Sequence, residues 1–156
     1  WSTSGSDIDR PLKRRGKHDA KSVGVWLRAH GLVPDYIIAS TARRARGTAR
    51  RAAGKMGLKR DSVVQDERIY AASVPALLTI LRDCPETARR VMLVGHNPGL
   101  EDLIRHLAKD NVAMPADGKL IVTAALARLI IPGSWGDLGA RCATLESIRR
   151  PAELQI

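Results

Sequence analysis

The chain has 156 residues, 44% hydrophobic and 27% charged, with 3% aromatic residues, no phenylalanine and a formal net charge of +10. That length suits one domain, residues 1–156, with a core built from Leu, Ile, Val and Ala, and nothing in the composition suggests disorder. The two cysteines, Cys84 and Cys142, lie far apart and form no Cys-x-x-Cys pair, which argues against a zinc site or a disulfide framework and for a cytoplasmic protein. No apolar run approaches the roughly 18–20 residues that a membrane helix needs, so no membrane partner is expected.

The chain opens on Trp1 and a polar loop, Ser2 to Asp7. Because it does not begin with methionine, something is expected to precede it, and the presence of a leader cannot be judged. Asp9-Arg10-Pro11-Leu12 leads into a helix with Ala20, Val23 and Leu27 inward and Gly31 as its cap. Tyr36 to Ala39 reads as a strand. Ser40 or Thr41 is expected to cap the next helix, whose stripe Ala42, Ala45, Ala49, Ala52 or Ala53 and Met56 ends at Gly57. Val63-Val64 is a short apolar piece, and Ser73-Val74-Pro75 starts a helix with Leu77, Leu78 and Leu81 inward. Val91 to Val94 reads as a buried strand, with Pro98 in the first turn of a helix through Leu100, Leu103, Ile104 and Leu107. Two further strand candidates are Ile121 to Ile131 and Arg141 to Ile148, joined by hairpin-like turn chemistry at Pro132 to Asp137. Strands alternating with helices predict a largely parallel sheet covered on both faces, with an antiparallel pair at the C-terminal end.

Two strand-to-helix junctions carry chemistry. His96, in Gly95-His96-Asn97-Pro98-Gly99, falls at the carboxyl end of one strand, and an arginine cluster, Arg43, Arg44, Arg46, Arg50 and Arg51, follows another. In an open α/β sheet that edge forms the ligand crevice. The bland alternative for His96 is a turn residue bonded to its own backbone. For Arg46, Arg50 and Arg51 it is an ordinary exposed helix face. The net charge attracts anions, and nucleic acid is the simplest polyanion. No aromatic residues interleave the arginines as base-stacking platforms would require, so phosphate attraction is the stronger reading and a nucleic-acid partner is not expected.

Four segments in order, Asp9-Arg10-Pro11-Leu12 with Arg15-Gly16, Ser40 with Arg44 and Thr48, Asp66 to Tyr70, and Gly95 to Gly99, resemble the histidine phosphatase superfamily, and within it the short SixA-type phosphohistidine phosphatases. The resemblance spans nearly the whole chain. It implies a three-layer α/β/α sandwich with a mostly parallel sheet, phosphoglycerate mutase-like, and a metal-independent phosphatase working through a phosphohistidine intermediate. No cofactor and no metal are expected. The implied substrate is a phosphohistidine-bearing protein or a small phosphomonoester. Arg44 matches the arginine that grips phosphate oxygens, and His96 the second histidine that stabilises the phosphoryl group. Glu67 matches the acid that protonates the leaving group. The family's first strand and its Arg-His nucleophile motif have no counterpart in these 156 residues, so the domain is expected to be incomplete at its N-terminal side and inactive alone. His18, His30 and His106 are expected to be structural or exposed. Asn97 is a candidate to orient His96, and Ser40 a helix cap. The alternatives are a phosphate-binding module without catalysis and, behind it, charge-driven nucleic-acid binding.

Overall fold

Three short apolar runs form the parallel sheet at the centre of the computed structural model, which describes residues 7–155. Strand β1, Tyr36–Ala39, lies between β2, Val63–Gln65, and β3, Val91–Val94, and is parallel to both. Ile37 pairs with Val63 and Met92, and Ala39 with Gln65 and Val94, which sets the carboxyl ends of β1 and β3 side by side. Among the described residues four helices of nine residues or more flank the sheet: α1, Arg14–Ala29; α2, Arg43–Lys55; α3, Val74–Arg82; and α4, Gly99–Leu107.

Side chains alternate across a strand, and β1 shows how this divides the core. Ile37 and Ala39 pack with Val23, Leu27, Ala49 and Ala52 from α1 and α2. Ile38 faces the other way, among Leu77, Leu78, Leu81, Leu103 and Leu107 from α3 and α4. The result is the expected α/β/α sandwich. Its α1 and α2 helices meet so closely that a Cβ on Gly24 would lie 2.4 Å from the Ala52 carbonyl oxygen. The Gly31 cap forms as expected: φ is +66°, and the Leu32 N–H reaches back 2.9 Å to the Leu27 carbonyl, a closure in which glycine takes the left-handed backbone without a Cβ penalty. Ser73 caps α3, its side chain accepting from the Ala76 N–H, and Pro75 lies in the first turn as read from the sequence.

Two boundaries differ from the sequence expectation. The N-cap of α2 is Ala42, not Ser40 or Thr41; the Ser40 hydroxyl bonds the N–H of Ala42 itself, one residue short of the helix. Pro98 is the residue before α4 and not within its first turn.

The C-terminal antiparallel pair is present as β4, Leu126–Ile130, and β5, Thr144–Arg149, in a sheet separate from the parallel one among the described residues. β4 begins at Leu126, not at Ile121 as the sequence predicts. The Ile121 N–H is held by the Glu101 carboxylate at 2.8 Å and its carbonyl by the Asn97 amide at 2.7 Å. Those groups are spent before a ladder can use them. A turn then closes from Val122 to Ala125. The β4–β5 connection is a longer loop carrying a 3-10 turn, Trp135–Asp137, in place of a tight hairpin turn. Among the described residues no helix is long and apolar enough to cross a membrane.

Candidate functional site

The parallel register carries the site. Ser40 follows β1 directly, and its N–H bonds to the carbonyl of Val94, the last residue of β3, at 3.0 Å. His96 lies two residues beyond Val94, and its Nε2 is 2.8 Å from the Ser40 hydroxyl. Ser40 is fully buried, and its Oγ also accepts the Ala42 N–H at 3.1 Å. A serine hydroxyl has two lone pairs and one proton. It can therefore hold His96 in either protonation state, by donating to the bare nitrogen or accepting from the protonated one. Ser40 is a positioning residue for His96, a role the sequence reading did not give it.

Arg44, in the first turn of α2, enters the same space. Its guanidinium donates to the Asp7 main-chain carbonyl at 2.8 Å and to the Asp7 carboxylate at 3.3 Å. The Tyr70 hydroxyl donates to the same carboxylate, and the Tyr70 ring meets His96 edge-on with centroids 5.3 Å apart. Arg10 lies 3.8 Å from the other Asp7 oxygen. Arg44, His96, Ser40, Tyr70 and Asp7 thus form one polar cluster, with a carboxylate held by an arginine and a phenol. Asp7, Arg10 and Tyr70 were missed as site residues. Arg10 and Tyr70 belong to the motifs that carried the family resemblance, while Asp7 ends the opening polar loop and lies outside them.

Charge in the cluster is uneven. Burial holds the His96 pKa below its ordinary value, the nearby Arg44 cation adds to that effect, and Asp7 opposes it. The free imidazole is therefore biased toward its neutral form. A bound dianion would pull the other way. The hydrogen bond from Tyr70, with help from Arg44, holds the Asp7 carboxyl below its usual range, and Asp7 in turn raises the Tyr70 phenol.

Glu67 begins the 3-10 turn Glu67–Ile69 that leads into Tyr70, and its side chain is exposed. Arg68 pairs with Asp66 at 2.7 Å and not with Glu67. Asn97 bonds to the Ile121 carbonyl at 2.7 Å, which corrects the idea that its amide orients His96. The other histidines lie elsewhere: His18 is 3.0 Å from the Gln155 side chain, His30 stacks on Trp26, and His106 is on α4. Among the described residues, no group of three His, Cys, Asp or Glu side chains is arranged to hold a metal ion. An open cavity of about 330 Å³, lined in part by Asn97, Lys119 and Thr123, begins at the residue after His96.

Residues 1–71 match the family model of the histidine phosphatase superfamily (branch 1). A structure proposed to be the phosphohistidine phosphatase SixA of Nakamurella multipartitia is 26% identical, with a TM-score of 0.81 over 96% of this chain and 90% of that one. The protein histidine phosphatase SixA complexed with tungstate shares the fold at a TM-score of 0.80 and 18% identity, over 99% of this chain and 93% of that one. An uncharacterised protein of Mycobacterium tuberculosis is 29% identical over 150 residues, 94% of this chain and 92% of its own length. The family match covers the N-terminal part of the chain, and the fold as a whole is shared with the SixA structures. The likeness to the Nakamurella structure, together with the family match over residues 1–71, supports a phosphatase-type function.

Proposed function

We propose that the chain is the phosphoryl-binding body of a metal-independent phosphohistidine phosphatase, with Arg44 and His96 gripping the transferred group. The observation that carries this reading is that Arg44 and His96, from the carboxyl ends of two adjacent parallel strands, meet in one polar cluster, where Arg44 holds the Asp7 carboxylate, Tyr70 donates to that carboxylate, and the Tyr70 ring lies against His96. A planar guanidinium matches two phosphoryl oxygens and keeps its charge at any working pH. His96, steadied by Ser40, supplies a second donor that gains its proton as the dianion arrives. Such donors act where charge is stabilised during transfer.

On this reading the reaction has two displacements. The P–N bond of the substrate breaks as a new P–N bond forms to an attacking imidazole, and the departing imidazole takes up a proton. Water then attacks phosphorus, releasing phosphate and restoring the imidazole. Glu67 is the proposed proton source at the rim, a modest demand because free imidazole already titrates near neutrality. None of His18, His30 or His106 reaches Arg44. The reading therefore requires an attacking histidine that these 156 residues do not supply. Without it the same geometry would bind phosphate and not turn it over, which is the second reading. The proximity of the open cavity to His96 suits a side chain presented by another protein, and a small phosphomonoester would fit the same site.

The test is phosphate release from a phosphohistidine-bearing protein by the product of the complete coding sequence. Turnover is expected, and Arg44→Ala and His96→Ala should each lower it by about 10²–10³-fold with the fold intact. Native-like turnover in both variants would sink the assignment. Phosphate binding without turnover in the native protein would favour the non-catalytic reading.

A further inference from the structure

The arginines of α2 that do not turn toward His96 form a second surface. Arg43, Arg46 and Arg50 recur at three- and four-residue spacing with Arg51 beside them, and with Lys17 of α1 and Arg60 they line an open cleft of about 200 Å³. Pro11, Leu12 and Gly47 complete its wall, and no carboxylate lines it. Among the described residues none of the six cations has a carboxylate within ion-pair distance. Arg51 donates to the Gly47 carbonyl of its own helix at 3.2 Å.

This arrangement opposes the helix that carries it. Like charges three and four residues apart repel. Arg43 and Arg46 also crowd the amino-terminal end of α2, where unpaired N–H groups already make the helix positive and no acidic residue occupies the first turn. A local conflict of this kind, without an internal carboxylate to relieve it, marks a surface whose partner is an anion. The cleft is separate from the Arg44–His96 cluster, since neither Arg44 nor His96 lines it. The segment 7–12 joins the two, with Asp7 on Arg44 and Pro11–Leu12 in the cleft wall.

We propose that this cleft binds a condensed phosphate chain, a triphosphate or longer oligophosphate, as a second anion site. Charge spacing decides against an acidic peptide. Arg43 to Arg51 spans about 12 Å of helix axis, at 1.5 Å per residue. An extended peptide shows one face a side chain only every second residue, roughly 6.6 Å, so about two carboxylates would meet six cations. A condensed phosphate chain carries charge on every phosphorus, and its oxygens suit bidentate guanidinium bonding. Single-stranded nucleic acid is disfavoured because no aromatic ring lines the cleft to stack a base.

The experiment is isothermal titration of sodium tripolyphosphate into the native chain, the double variant Arg46→Ala/Arg50→Ala, Arg60→Glu and Arg44→Ala. Arg60 lies on a separate 3-10 turn, so its reversal tests the cleft without touching α2. The double variant and Arg60→Glu are each expected to weaken binding at the cleft by about tenfold or more, while Arg44→Ala, which removes the other anion site, leaves the affinity of the cleft within about threefold. Hexaglutamate and oligothymidylate should bind at least about tenfold more weakly than tripolyphosphate to the native chain. Native affinity in both cleft variants would overturn the proposal, as would equal affinity for either comparison polymer. A loss confined to Arg44→Ala would also overturn it, by assigning the ligand to the Arg44–His96 site and leaving that site's reading intact.

Discussion

At His96 the physical chemistry makes a statement about pH. Burial and Arg44 keep its folded pKa below the ordinary 6.5, so as pH falls through that value the unfolded chain takes up a proton before the folded one does. Stability is therefore expected to drop as pH decreases from 6.5 and to level off, for this group, once the folded imidazole also protonates. Thermal melts at about pH 7.5 and about pH 5.5 should show a larger loss for the native chain than for His96→Gln; identical losses would contradict the buried, neutral imidazole. Asp7 carries the complementary expectation. Its carboxylate occupies the Arg44 guanidinium, so it competes with an incoming anion, and Asp7→Asn should tighten sulfate binding several-fold by titration calorimetry. Weaker binding would make Asp7 a support for Arg44 and not a competitor. His96 was legible because it follows an apolar run at a strand-to-helix junction, while the other junction marked five arginines and the family resemblance singled out Arg44. Ser40 as the partner of His96, and Tyr70 as the partner of Asp7, were not legible. Those pairs are 56 and 63 positions apart; the first exists because β1 and β3 are neighbours and the second because the turn after β2 meets the segment at Asp7, and local spacing encodes neither.

The same division holds for the elements. Helices α1 to α4 were readable from 3.6-residue periodicity and strands β1 and β3 from short apolar runs, whereas β2 showed only as the apolar piece Val63-Val64, because just Val63 of its three residues is buried. Boundaries failed where side chains from elsewhere took the backbone. Asn97 and Glu101 claim Ile121 and delay β4 to Leu126. Among the glycines, position along a helix also hides opposite consequences. Gly24→Ala would drive a Cβ into the Ala52 backbone at 2.4 Å, so overpacking should cost about 1–3 kcal/mol, or several degrees in the melting temperature. Gly54→Ala, on the exposed side of α2 with nothing within 4 Å, should stabilise by up to about 0.5–1 kcal/mol through lower chain entropy. Equal effects in the two variants, measured by thermal melting, would mean that α1 and α2 do not pack as described.

Over the whole molecule, a formal charge of +10 is a statement about anions in general, and the fold divides it into distinct surfaces. Net charge alone predicts single-strand nucleic-acid affinity that falls steeply with salt and responds to Arg44→Ala only through the loss of one charge. The Arg44–His96 cluster predicts an effect of Arg44→Ala that persists at high salt, because a half-buried, bidentate contact is screened less than an exposed one. The architecture was legible as a whole from the alternation of elements, while the grouping of Lys17 and Arg60 with the α2 arginines was not, because it depends on how three separate segments pack. The most direct test of the central claim is a titration of tungstate, a phosphate-like oxyanion, into the native chain, Arg44→Ala and His96→Ala at a salt concentration high enough to suppress the general charge. Binding at the site, weakened by about tenfold or more in each variant with an unchanged thermal transition, is the predicted result. Equal affinity in all three would contradict the assignment of Arg44 and His96 as the phosphoryl-binding pair.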